Sequence, residues 1–77
     1  MTTFAVGAEY DDIDRGITAG VEVAEKFPHL GYDSGYGFGV RDVVFYTDSE
    51  YEAWLILDAL AAYEPISNFV REYEQED

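Results

Sequence analysis

The chain lacks the residues that small proteins use for metal-based or nucleophilic chemistry. It has 77 residues and no cysteine, so neither a disulfide nor a thiolate metal site can support its fold. Histidine occurs once, at His29, and one imidazole without cysteine assembles neither a transition-metal site nor a nucleophilic triad. We therefore expect no metal, no cofactor and no enzymatic activity.

Long apolar runs and positive charge are also scarce. No stretch approaches the ~20 apolar residues of a transmembrane helix, and the N-terminal MTTFAVGAEYDD has neither the basic start nor the apolar core of a signal peptide. These features predict a soluble, cytoplasmic protein that does not bind membranes. Four basic residues against 17 acidic ones give a net charge of −13, which also argues against direct binding of nucleic acid.

What the chain does have is enough apolar material for a core. Apolar residues make up 48% of the sequence and aromatic residues 17%, so the acids are expected to form a shell around a folded domain. We predict one domain over residues 1–77, in which residues 73–77 are an acidic tail that frays.

The strongest helical pattern covers residues 49–64. Ser49 and Glu52 have the S-x-x-E spacing of a capping box, and no glycine or proline interrupts the interior. Apolar residues recur at the spacing of one buried helix face, at Ala53, Ile56, Leu57 and Leu60. This helix is predicted to supply more of the core than any other segment.

Residues 12–28 fit two structures. A helix capped by Asp11 or Asp12 would bury a stripe formed by Ile13, Ile17, Val21 and Ala24. A strand is the alternative, because Gly16 and Gly20 weaken a helix and small apolar residues alternate at Ala19, Val21 and Val23. We favour the helix, and Pro28 ends the element in either case.

Two segments alternate as strands do, residues 3–10 and the β-branched, aromatic residues 40–47. Between them the sequence GYGFG at residues 35–39 lacks the lysine and hydroxyl of a phosphate-binding loop, so we interpret it as a hairpin turn or a close approach of the backbone. After Pro65, helical spacing predicts a short final helix with apolar positions Ile66, Phe69, Val70 and Tyr73. The expected fold is α+β: a small antiparallel sheet of two or three strands, with the long helix packed on it.

Acidic residues are concentrated at the two predicted helix starts, where negative charge opposes the positive end of the helix dipole. One cluster comprises Asp11, Asp12 and Asp14, and the other comprises Asp48, Glu50 and Glu52. The first is not a calcium loop, because with Gly16 at loop position six, positions three and five are Ile13 and Arg15, which cannot ligate the ion. We interpret both clusters as helix caps whose fixed carboxylates contact a partner.

The long helix also carries an apolar stripe opposite its core face, with Tyr51 and Leu55 beside Asp58 and Ala62. The final helix is expected to cover this stripe through Phe69 and Tyr73. If it does not, Tyr51 and Leu55 form a contact surface for a partner or for a homodimer.

With catalytic and metal sites set aside, charge carries the functional inference. A compact acidic domain is attracted to basic surfaces, and nucleic-acid-binding grooves are strongly basic. The leading hypothesis is an inhibitor that blocks such a groove by DNA mimicry. In size and charge the chain is similar to small phage-encoded anti-CRISPR and anti-restriction proteins, which implies a nuclease or host-defence complex as partner, in the host cytoplasm. The alternatives are a salt-adapted, haloarchaeal-type domain and an interaction module such as an antitoxin.

Overall fold

The computed structural model describes residues 2–74, which form four strands and two helices. In chain order these are β1 (Thr2–Tyr10), α1 (Ile13–Lys26), β2 (Tyr32–Gly37), β3 (Val40–Thr47), α2 (Glu50–Ala61) and β4 (Ser67–Glu74). The strands pair antiparallel in the order β2-β3-β1-β4, and both helices pack on one face of this sheet. The expected α+β class is confirmed, with four strands instead of two or three, in the ferredoxin-like order of elements.

The core lies between the central strands and the helices. Strand β1 alternates as predicted, with Phe4, Val6, Ala8 and Tyr10 directed towards the helices. Strand β3 contributes Val43 and Phe45 to the same layer. At about 1.5–3 kcal/mol for each large apolar side chain removed from water, these residues and those of α2 account for most of the hydrophobic stabilisation.

Helix α2 has the predicted core face. Ala53, Ile56 and Leu60 are buried and Leu57 is half-buried. The Ser49 hydroxyl accepts from the Glu52 N–H at 3.2 Å, as the capping box requires, but the Ser49 N–H donates instead to the Thr47 hydroxyl at 3.1 Å. The helix ends at Ala61, three residues before the predicted boundary at residue 64.

Residues 12–28 contain a helix, as favoured, but its buried face is not the predicted one. The residues against the sheet are Gly16, Ala19, Gly20 and Val23, whereas Ile13, Ile17 and Val21 are exposed. The side chains of β1 and β3 already fill the interior, so α1 packs closely only where its own side chains are small. The apolar stripe therefore lies along the flank of α1 instead of beneath it.

The predicted final helix is wrong, because residues Ser67–Glu74 form strand β4. This segment pairs along the length of β1, with Val70 opposite Val6 and Phe69 opposite Gly7. Pairing satisfies the outer hydrogen-bonding groups of β1, which a helix at this position would leave open. Tyr73 and Glu74 of the predicted tail belong to this strand, and residues 75–77 lie outside the described residues.

The glycine-rich segment contains the predicted hairpin turn only at its end, because residues 35–37 belong to β2. Phe38 and Gly39 join β2 to β3 with φ angles of 56° and 78°. Two consecutive positive φ angles in a two-residue loop are typical of the type I′ turn that matches the twist of a hairpin.

None of the helices within residues 2–74 is long and apolar enough to cross a bilayer.

Candidate functional site

The first acidic cluster lies at the start of α1. The Asp12 carboxylate caps the helix by accepting from the Arg15 N–H at 3.1 Å, and Asp11 forms an ion pair with the Arg15 guanidinium at 3.3 Å. Asp14 is exposed in the first helical turn. These carboxylates are held by the helix start and remain accessible to solvent.

The second cluster lies at the start of α2 and is only partly free. Asp48 and Glu50 are exposed, whereas Glu52 is half-buried and accepts from the Thr47 hydroxyl at 2.6 Å. The other Glu52 oxygen lies 2.7 Å from His29 Nε2. The hydrogen bond from Thr47, supported by His29 and opposed by burial, holds the pKa of Glu52 below its usual range. Through its contact with His29, Glu52 therefore holds the segment that follows α1 against the start of α2.

The structure places these two clusters at opposite ends of the sheet. Tyr10, before the first cluster, is six positions along β1 from Phe4, which pairs with Thr47, before the second. At about 3.3 Å per residue this separation is roughly 20 Å. Helix α1 spans it, because 14 residues at about 1.5 Å each measure about 21 Å.

Further acids line the outer surface of the helices between the clusters. Glu22 and Glu25 are exposed on α1, and Asp58 is exposed on α2. The Tyr63 hydroxyl donates to the Glu22 carboxylate at 2.6 Å, a bond that also raises the pKa of Tyr63. The sequence interpretation did not assign these three acids to the site, although their helical spacing places them between the clusters.

The apolar stripe of α2 is uncovered among residues 2–74. Tyr51 is 75% exposed and Leu55 43% exposed. The expected cover is absent because Phe69 and Tyr73 lie in β4 with their side chains on the opposite face of the sheet, where the Phe69 ring packs over Gly7. Tyr51 and Leu55 thus lie on the outer surface of the helical layer, near Asp48 and Glu50.

Charge compensation inside the described part of the chain is slight. Every acidic residue from 2 to 74 except Glu52 is exposed. The ion pairs found there are Arg15–Asp11 and His29–Glu52, and the Arg71 guanidinium instead lies 5.0 Å from the centre of the Phe69 ring. No group of three histidine or acidic side chains in this part is arranged to hold a metal ion.

Comparison with known proteins shows the fold and nothing further. No protein-family model and no curated protein matches the sequence. Among solved structures the chain is similar to the de novo designed protein Foldit4, with a TM-score of 0.66 and 7% sequence identity over 97% of this chain and 98% of that chain. At this identity the similarity supports the arrangement of strands and helices only.

Proposed function

We propose that the protein is a small acidic inhibitor that occupies the basic nucleic-acid-binding groove of another protein. The observation that carries this proposal is the shell of exposed carboxylates, of which only Asp11 forms an ion pair within residues 2–74. Two exposed carboxylates about 6 Å apart repel by about 0.7 kcal/mol in water, and many such pairs add. The basic groups of a partner attract these carboxylates, and this attraction accelerates association and lowers the free energy of the complex.

The separation of the two clusters suits a nucleic-acid backbone. A distance of about 20 Å corresponds to roughly six phosphates along one strand, at about 3.4 Å per nucleotide. Glu22 and Glu25 lie between the clusters along α1, so the carboxylates form a series along the helical layer. The proposed partner is therefore a nuclease or host-defence complex of the kind that anti-CRISPR and anti-restriction proteins block.

The test neutralises the fixed clusters while keeping the fold. Asn and Gln replace the exposed cluster acids and leave Glu52 in place; Asn at position 12 keeps the helix cap. The variant carries D11N, D12N, D14N, D48N and E50Q, and its binding to a partner captured from host lysate is measured over a salt series. We expect weaker binding and a flatter salt dependence, because fewer ionic contacts remain for salt to screen, and we expect the variant to stay folded.

A matched control removes acids that lie on strands and belong to neither cluster. E9Q, E72Q and E74Q neutralise three carboxylates on β1 and β4, and are compared with D11N, D12N and D14N, which change the net charge equally. Y51A tests the apolar contact and should raise the dissociation rate. Equal effects of the two triple variants, or a partner that does not lose its DNA or RNA when this protein binds, would refute nucleic-acid mimicry.

A salt-adapted domain is the second candidate, favoured by the same exposed acids and by Lys26 as the single lysine. Such a domain loses structure when salt falls from molar to about 0.05 M, because repulsion is then unscreened. An inhibitor from an ordinary cytoplasm stays folded over this range, which circular dichroism would measure.

A further inference from the structure

Strand β2 is an edge of the sheet with hydrogen-bonding groups directed outwards. The Tyr46 N–H donates to the Gly31 carbonyl at 3.3 Å, which identifies these two residues as a hydrogen-bonded pair. In an antiparallel ladder such pairs alternate with pairs whose backbone groups point away from each other. The backbone N–H and C=O groups of Tyr32, Ser34 and Tyr36 therefore point away from β3, along the open edge.

This edge lacks most of the features that prevent strand addition. Native edges are protected by proline, bulges or charged side chains, especially lysine, and β2, with the sequence YDSGYG, contains only one of these features, the single charge of Asp33. The opposite edge, β4, carries Arg71, Glu72 and Glu74. The β4 edge thus carries three charged side chains and the β2 edge carries one.

An apolar flank lies beside the open edge. Helix α1 packs over β2 and β3 at Gly20, whose Cα position faces Tyr32 and Val43. On the side of α1 away from α2 lie Ile17 and Val21, which are 42% and 46% exposed. Tyr36, on the helix side of β2, is 71% exposed. Together they form an apolar surface next to unpaired backbone groups.

Backbone groups, apolar area and charge together specify the occupant. We propose that the edge of β2 and the adjoining flank of α1 accept an extended, basic segment of the partner as a fifth strand. Strand addition uses main-chain hydrogen bonds for affinity and alternate side chains for specificity. Apolar residues of the segment would contact Ile17 and Val21, and basic residues would lie on the other face, near Asp33.

A second copy of this chain is the less favourable occupant. It would bring another −13 of charge to the interface, and β2 itself carries no basic residue to offset it. The basic character of the segment rests on the proposed function, whereas strand addition rests on the edge alone. An experiment can therefore refute strand addition without refuting the proposed function, and the reverse.

The probe is a synthetic octapeptide in which Val and Lys alternate, compared with a peptide of the same composition in which the four Val precede the four Lys. Amide hydrogen exchange measured by NMR should show new protection at Tyr32, Ser34 and Tyr36 with the alternating peptide only. The amide of Gly35 already donates to the Asp42 side chain at 2.9 Å and should change little. Equal binding of both peptides, binding without this protection, or no binding at millimolar peptide would overturn the proposal.

Two matched pairs of variants locate the contact. S34P removes an outward N–H, whereas S34V loses the same hydroxyl and keeps the N–H; S34P should weaken binding about tenfold and S34V little. I17K adds charge on the flank and T18K adds it one residue away on the side towards α2; only I17K should weaken binding. Equal effects within both pairs would show that charge alone attracts the peptide. Competition between the protein and nucleic acid for a captured effector remains a separate measurement of the proposed function.

Discussion

Gly16 and Gly20 allow the packing of α1 to be tested with one kind of substitution. Both glycines are buried, four residues apart on the sheet-facing side of the helix. A methyl group added at Gly16 would lie 2.7 Å from Arg41 Cβ and 2.6 Å from Arg41 Cγ. A methyl group added at Gly20 would lie 3.4 Å from the Tyr32 ring and 3.5 Å from Val43, which is ordinary van der Waals contact.

The two substitutions should therefore have opposite effects on stability. Alanine is favoured over glycine inside a helix by about 0.8–1.0 kcal/mol, so G20A should stabilise the protein by about 1 kcal/mol. G16A gains the same propensity but meets the Cβ of Arg41, which cannot move without the backbone of β3. Overpacking of this kind costs about 1–3 kcal/mol, so G16A should be destabilised by up to about 2 kcal/mol.

Thermal melting followed by circular dichroism measures the difference. Neither substitution changes charge, so repulsion within the acidic shell cancels in the comparison. At about 4–8 °C per kcal/mol for a domain of this size, G20A should melt several degrees above the unaltered protein and G16A at or below it. A G16A variant as stable as G20A would mean that α1 does not approach β3 as described.

Three further predictions concern the core, the turn and pH. L60D should abolish the folded spectrum because Leu60 is fully buried, whereas L57D, at a half-buried position, should melt lower but remain folded. F38N should raise the melting temperature, because Phe38 is fully exposed at a positive φ of 56°, which costs a non-glycine residue about 1–2 kcal/mol. Burial, with a smaller contribution from Tyr63, raises the pKa of Tyr10 from 10.0 to about 12, so stability is retained below pH 10 and falls as pH rises towards 12. Urea unfolding at about pH 9 and about pH 11.5 should show a smaller loss for Y10F than for the unaltered protein.

Much of the fold was predictable because local signals and tertiary packing agree. The capping serine and the apolar spacing of residues 49–64 specify α2 and its core face, and β-branched residues specify β3. The glycines of residues 35–39 predicted a turn, which the structure has at Phe38–Gly39, whereas residues 35–37 extend β2. In these elements propensity and burial favour the same structure.

Two predictions, the final helix and the buried face of α1, were wrong because tertiary contacts prevail over local sequence patterns. Ile66, Phe69, Val70 and Tyr73 have helical spacing, yet β1 requires a partner on its second side, and pairing prevails over a four-residue pattern. In α1 the larger residues were predicted to be buried, but the sheet accepts only the glycine-containing face. Sequence spacing does not report how closely two elements approach.

The position of the two acidic clusters at helix starts was predictable, but their arrangement relative to each other was not. Both acidic clusters precede helices, as expected, but the antiparallel pairing of β1 with β3 sends the two helix starts to opposite ends of the sheet. That pairing joins residues more than thirty positions apart and has no local signal. The hydrogen bond from the Thr47 hydroxyl to Glu52 was not predictable either, because a capping box predicts that the Glu52 side chain accepts from the Ser49 N–H.

The uneven surface bears on the choice between inhibition and salt adaptation. A shell selected only for solubility in salt gains from replacing exposed apolar side chains with acids wherever they occur. Here Ile17, Val21 and Tyr36 remain exposed beside β2, the edge strand that carries no basic residue and a single acid, Asp33. An open edge beside exposed apolar residues is an aggregation risk for a free protein. Its retention in a chain of net charge −13 is explained more simply by a basic partner that covers it than by adaptation of the whole surface to salt.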